Sequence, residues 1–148
     1  MNACDPIKYS MTQQDTQILL IDDDEVDVRT VRRAFSRAGV DSQIHVVSNG
    51  LDALSSLRTA SIKEPILILL DLNMPKMNGF EFLDQLRADP ELKHHVVFVL
   101  STSDAERDLR GAYQRYAAGY LVKSEIGTQP EILTQLLSSY LAAVHLPS

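Results

Sequence analysis

An open α/β fold, with helices covering both faces of a parallel sheet, follows from two observations on this chain. Short apolar runs alternate strictly with helical patterns, five times over. The runs are continuously apolar instead of alternating, as strands buried on both faces must be. A third observation concerns how the runs end: the first, third and fifth stop at charged residues and the fourth at a hydroxyl.

The elements follow in order. Residues Met1 to Thr16 are polar and aperiodic and read as a flexible tail, with Met1 and Met11 both available as starts. Gln17 to Ile21 is the first strand and runs into Asp22, Asp23, Asp24 and Glu25. From Glu25 to Gly39, Val28, Val31, Phe35 and Ala38 recur at helical spacing, and Gly39 suits a helix stop. Ile44 to Val47 is the second strand, followed by a helix carrying Leu51, Leu54 and Leu57.

Ile66 to Leu70 is the third strand, five aliphatic residues that end at Asp71. Asn73, Pro75, Asn78 and Gly79 form a loop, and Phe80, Leu83 and Leu86 mark a helix closed by Asp89 and Pro90. Val96 to Leu100 is the fourth strand and ends at Ser101. The helix from Asp104, its expected cap, to about Arg115 is unusually polar. Tyr120 to Val122 is the last strand, ending at Lys123, and a wide apolar stripe from Ile132 to Val144 makes the fifth helix.

Composition sets bounds. A chain of 148 residues with 45% hydrophobic content suits one domain, residues 17–146, behind the tail. A formal charge of −6 argues against a nucleic-acid surface. One cysteine, Cys4, excludes an internal disulfide and a thiolate metal cluster, and His45, His94, His95 and His145 show no metal spacing. No apolar run approaches a membrane span and the opening residues do not read as a secretory signal, so a cytoplasmic location is expected.

If the strand order is the flavodoxin-like 2-1-3-4-5, the first and third strands are neighbours at the topological switch point, and the terminal groups converge on one crevice. Three carboxylates, Asp22, Asp23 and Asp71, repel one another there unless a cation intervenes. A hard all-oxygen set with room for water suits Mg²⁺. Asp71 can then act as an ionised nucleophile, while Lys123 and Ser101 supply a charge and a hydroxyl to phosphoryl oxygens. Taken singly each residue has a plainer reading: Asp22 and Asp23 as acids at a helix N-terminus, Ser101 as a cap, Lys123 as a surface lysine, Tyr120 as packing, and Asp24, Glu25 and Asp27 as a solvated face.

The order Asp22-Asp23, Asp71, Ser101, Lys123, with LLDLNMPKMNG around the acceptor and AGYLVKS at the end, resembles the receiver domain of two-component response regulators. The resemblance implies Asp71 as phosphoacceptor and Asp22, Asp23, Asp71 and the Asn73 carbonyl as the Mg²⁺ site. Ser101 and Tyr120 are then the pair that rearranges on activation. Where receivers usually have Pro after the lysine, this chain has Ser124.

Softer cues, IDDDEVD, SNGLDAL, LRADPEL and VVFVLSTSDAERD, resemble the stand-alone receivers of bacterial phytochromes. These imply a phytochrome sensor histidine kinase as partner and a homodimer through the fourth helix, fifth strand and fifth helix. No dedicated enzyme activity is expected beyond phosphotransfer and autodephosphorylation. A haloacid-type phosphatase would need a second Asp where Asn73 stands, and a receiver-like interaction module acting without phosphorylation is the remaining alternative.

Overall fold

A computed structural model describes residues 16–39, 43–74 and 76–147. Most of the expected tail, residues 1–15, lies outside them; its last residue, Thr16, is buried at the start of the first strand. Five strands, β1 (Gln17–Ile21), β2 (Ile44–Val47), β3 (Ile66–Asp71), β4 (Val96–Ser101) and β5 (Gly119–Val122), form one sheet. Every pairing is parallel and the order is β2-β1-β3-β4-β5, as the sequence predicts.

The helices are α1 (Glu25–Arg37), α2 (Gly50–Arg58), α3 (Gly79–Ala88), α4 (Glu106–Gln114), α5 (Lys123–Thr128) and α6 (Glu131–Ala143). The expected five become six because Lys123–Thr128 coils into a short turn of helix before the long last one. Lys123–Ser124 is not cis; among the described residues the one cis peptide is Glu64–Pro65.

Central β3 is buried along its whole length, flanked by β1 and β4. Alternate residues of the strands feed two cores. Leu19, Ile21, Ile68 and Leu70 pack against Leu54 and Leu57 of α2 and Phe82, Leu83 and Leu86 of α3. Leu20, Leu67, Leu69 and Phe98 pack against Phe35 of α1 and Leu133, Leu137 and Leu141 of α6. Burying a side chain of this size contributes roughly 1.5–3 kcal/mol, so the strands rather than the loops carry the stability.

The third cluster is small: Leu72, Val99, Ala112 and Ala117, with Phe80 and Tyr120 partly buried against it. Ala112 is the residue of α4 buried in it, and Tyr113 on the same helix is 48% exposed. Leu51 and Ala38 also face outward, so α2 and α1 bury narrower stripes than the sequence suggests.

Register aligns the strand ends. Ile21 stands opposite Leu70, Asp71 opposite Leu100 and Ser101 opposite Val122. Asp22, Asp71, Ser101 and Lys123 therefore follow one another along the C-terminal edge, where an open sheet of this kind binds ligands.

Candidate phosphoacceptor site

The acids are delivered by β1 and β3. Asp22 and Asp71 are buried, 2% and 3% exposed, whereas Asp23 is exposed at the mouth. One carboxylate oxygen from each lies within 4.8 Å of the others. Asp24 is exposed, as a solvated face requires, and it also caps α1, its Oδ1 accepting from the Val26 and Asp27 N–H groups. The loop after β3 is fixed by the Gly79 N–H, which donates to the Leu72 carbonyl at 2.9 Å. Gly79 has no room for a side chain, because a Cβ there would stand 2.7 Å from the Leu72 Cα and 2.9 Å from the Asp71 carbonyl oxygen. Asn78 and Glu81 close a capping box on α3.

Lys123 Nζ sits among three carboxylates, 2.6 Å from Asp27 Oδ2, 3.0 Å from Asp22 Oδ2 and 3.2 Å from Asp71 Oδ1. Asp27 is the partner the sequence reading missed, having placed it on a solvated face. Asp22 Oδ1 accepts from the Asp24 N–H, but its buried Oδ2, for all its nearness to Nζ, has no partner in hydrogen-bond geometry. Asp71 Oδ1 also accepts from the Asn73 N–H at 3.3 Å, so these contacts leave Oδ2 as the oxygen not engaged.

Electrostatics follows from the burial. Desolvation pushes Asp22 up to about 6 against the Asp24 hydrogen bond and the Lys123 charge. Asp71 is raised for the same first reason, with Lys123 opposing. Burial pulls the Lys123 ammonium down, but the hydrogen bond to Asp27 and the charges of Asp22 and Asp71 outweigh it and hold the lysine above its usual range. One ammonium does not satisfy this many acids. The orphaned Asp22 Oδ2 and the all-oxygen donor set fit a hard divalent cation held by Asp22, Asp23 and Asp71.

The open crevice is lined by Asp23, Asp27, Asp71, Asn73, Thr102 and Lys123, among others. Ser101 lies behind it, fully buried, with Oγ accepting from the Ser103 N–H at 3.0 Å; its neighbour Thr102 does the lining. Tyr120 turns its ring onto the small α4 cluster, and its hydroxyl donates to the Ser103 carbonyl at 2.8 Å. The N-cap of α4 is Ala105 and no side chain caps the helix, so the expectation for Asp104 is not met. Ser103 Oγ instead accepts from the Ala105 N–H before the helix and donates to Asp108 at 2.6 Å.

A second group able to hold a metal, Glu64, His94 and His95, stands at the opposite edge of the sheet, although histidine spacing gave no hint of it. His94 Nε2 is 3.1 Å from Glu64 Oε1.

The model of the response regulator receiver domain matches residues 18–137. Response regulator Rcp1 of Synechocystis is 37% identical over 111 residues, covering 72% of this chain and 76% of that one. Among solved structures, the phosphorylated cyanobacterial phytochrome response regulator RcpA superimposes with a TM-score of 0.79 at 34% identity, covering 89% of this chain and 98% of that one. The Mn(2+)-bound form of Rcp1 gives 0.78 at 33% identity, with 90% and 99% covered.

Proposed function

The chain belongs to the response regulator receiver domain family, and we propose that it takes a phosphoryl group from a phosphohistidine of a sensor kinase onto Asp71. One observation carries the choice of residue: Asp71 ends the most deeply buried strand with one oxygen turned to Lys123 and the other not engaged, at the floor of an open acidic crevice. In the transfer an Asp71 oxygen forms the O–P bond as the P–N bond breaks, and the imidazole keeps the electron pair. Asp22, Asp23, Asp71 and the Asn73 carbonyl would hold Mg²⁺, which when bound supplies charge neutralisation for the phosphoryl oxygens. A Mn(2+)-bound relative supports a divalent ion of this size and hardness.

Lys123 then donates to a phosphoryl oxygen. Ser101 would donate its hydroxyl hydrogen to the same group, and because its Oγ accepts from the Ser103 N–H, it links the site to the loop that Tyr120 holds. Phosphorylation thereby biases two arrangements of α4 and its loop, the most thinly packed part of the fold. Asn73 and Ser103, each two residues past a site residue, would tune the slow hydrolysis that resets Asp71.

Likeness to phytochrome response regulators supports a phytochrome histidine kinase as the donor. Large exposed side chains on and just after α4 and α6 support a homodimer through this part of the chain: Tyr113 and Ile132 on the helices, Tyr116 and Val144 just past their ends. The net charge and the absence of any helix among the described residues long and apolar enough to cross a membrane support a receiver acting in the cytoplasm, away from nucleic acid.

The deciding experiment is labelling by a small phosphodonor with Mg²⁺. The wild type is expected to gain one acid-labile phosphoryl group and Asp71→Asn to lose it at least about 100-fold. Undiminished labelling of Asp71→Asn would refute the assignment. Light scattering with and without beryllofluoride checks the dimer, which a monomer mass in both states would exclude.

A further inference from the structure

We propose that Asp27 is a positioning residue that holds Lys123 in the unphosphorylated protein, so that phosphorylation exchanges the Asp27–Lys123 pair for a Lys123–phosphoryl pair. The inference rests on the reading of Asp71 as acceptor, and its geometry stands on four observations.

The Asp27 contact, at 2.6 Å, is the shortest of the three that Lys123 makes and satisfies hydrogen-bond geometry. Asp27 is presented by a fixed element, since Asp24 caps its N–H and Val31 and Phe35 anchor α1 in the core. It joins residues 96 apart in sequence, so it ties the start of α1 to the end of β5. Finally, the three acids differ in their access to water: the Asp27 side chain is 30% exposed, against 1% for Asp22 and 5% for Asp71.

That last difference decides which partner leaves. An ammonium has three N–H donors. Asp27 takes one in hydrogen-bond geometry, while Asp22 and Asp71 stand by as ion-pair partners at 3.0 and 3.2 Å. A phosphoryl group on Asp71 brings close to two negative charges and three further acceptor oxygens. When it claims a donor, Asp22 is too deeply buried to turn to water and Asp71 carries the group itself, whereas Asp27 can turn to water at little cost. Its negative charge, until then, both competes for the lysine and repels the incoming group. Asp27 thus opposes the phosphorylated state and shortens its life.

The test compares wild type, Asp27→Asn, Asp27→Ser and Asp27→Glu as full chains at saturating Mg²⁺, so that altered metal affinity does not enter. Beryllofluoride, which mimics the aspartyl phosphate, is titrated by NMR, and the decay of phosphoryl label is timed. Asn and Ser are expected to bind the mimic about 3–10-fold tighter and hold the phosphoryl group longer by a similar factor, the range of the net contribution of one ordinary hydrogen bond. Glu should return both values toward wild type while thermal midpoints stay close, which a merely structural role would not produce. Affinity and lifetime within twofold of wild type in both Asn and Ser, or weaker binding in either, would overturn the proposal. If wild type itself takes neither mimic nor label at Asp71, the acceptor reading fails first and this inference with it.

Discussion

The two edges of the sheet bury titratable groups to the same depth and resolve the conflict in opposite ways. At the C-terminal edge Asp22 and Asp71 keep a cation, Lys123, in contact and stand where a divalent ion can join them. At the N-terminal edge His95 is 3% exposed, its Nδ1 has no partner, and burial with the nearby His94 and Arg87 charges presses its pKa down to about 4 against Glu64. It escapes desolvation by shedding its charge. Arg87, beside it, is committed to backbone carbonyls of Lys93, His95, Arg115 and Tyr116. One edge therefore retains charge that chemistry can use, and the other discards it in favour of packing.

Removing the retained cation should break this contrast most severely. Lys123→Met keeps the volume and leaves Asp22 and Asp71 without a counter-charge. Denaturant unfolding in metal-free buffer at pH 7 should show a loss of about 3–5 kcal/mol, most of it recovered with Mg²⁺. An unchanged midpoint without metal would mean that the acids are neutral there.

Next comes pH. The folded value of His95, about 4, lies below its ordinary 6.5. Its contribution is full above pH 6.5 and is lost as the pH falls toward 4, by about 3 kcal/mol. Asp22 has the opposite sign: its folded value, about 6, lies above 3.8, so its contribution is present below pH 3.8 and is lost as the pH rises to 6, by a similar amount of about 3 kcal/mol in metal-free buffer. Between pH 4 and 6 the two offset each other. His95→Asn should expose the Asp22 slope, with stability falling as pH rises, and Mg²⁺ should flatten it. A variant that still gains stability with pH across that window would contradict the contrast.

Smaller effects sharpen the geometry at the acceptor. Gly79→Ala forces a methyl against Leu72 and the Asp71 carbonyl and should cost about 1–3 kcal/mol, with slower labelling of Asp71. Asn78→Ala removes one half of the capping box and should cost about 1 kcal/mol with labelling little changed. Equal labelling by both variants would show that the loop after β3 tolerates displacement.

The strands and their order were legible because short, mostly apolar runs alternating with helical patterns have few other readings, and the strand-end residues were legible as a set. Asp27 was not. An acid in the first turn of a helix is favoured there by the dipole alone, so nothing local marks the one that reaches across to Lys123. The short α5, KSEIGT, is too brief to show a helical period and carries Gly127. Glu64 and His94 are 30 residues apart and meet only because β3 and β4 start side by side. Ser101 was assigned correctly to the strand end, but the sequence does not tell that its hydroxyl faces the Ser103 N–H while Thr102 faces the crevice.

Lys123 belongs to two structures at once, since its side chain ends in the crevice and its backbone opens α5. In mechanical terms α5 is a stub lever about 9 Å long with the ammonium on its short arm. Its far end is hitched to the next element, because the Gln129 carbonyl accepts from the Ile132 N–H at the head of α6. Its pivot is Ile126, buried in the core beside Leu133 and Leu137, and the exposed apolar residue just beyond the hitch is Ile132.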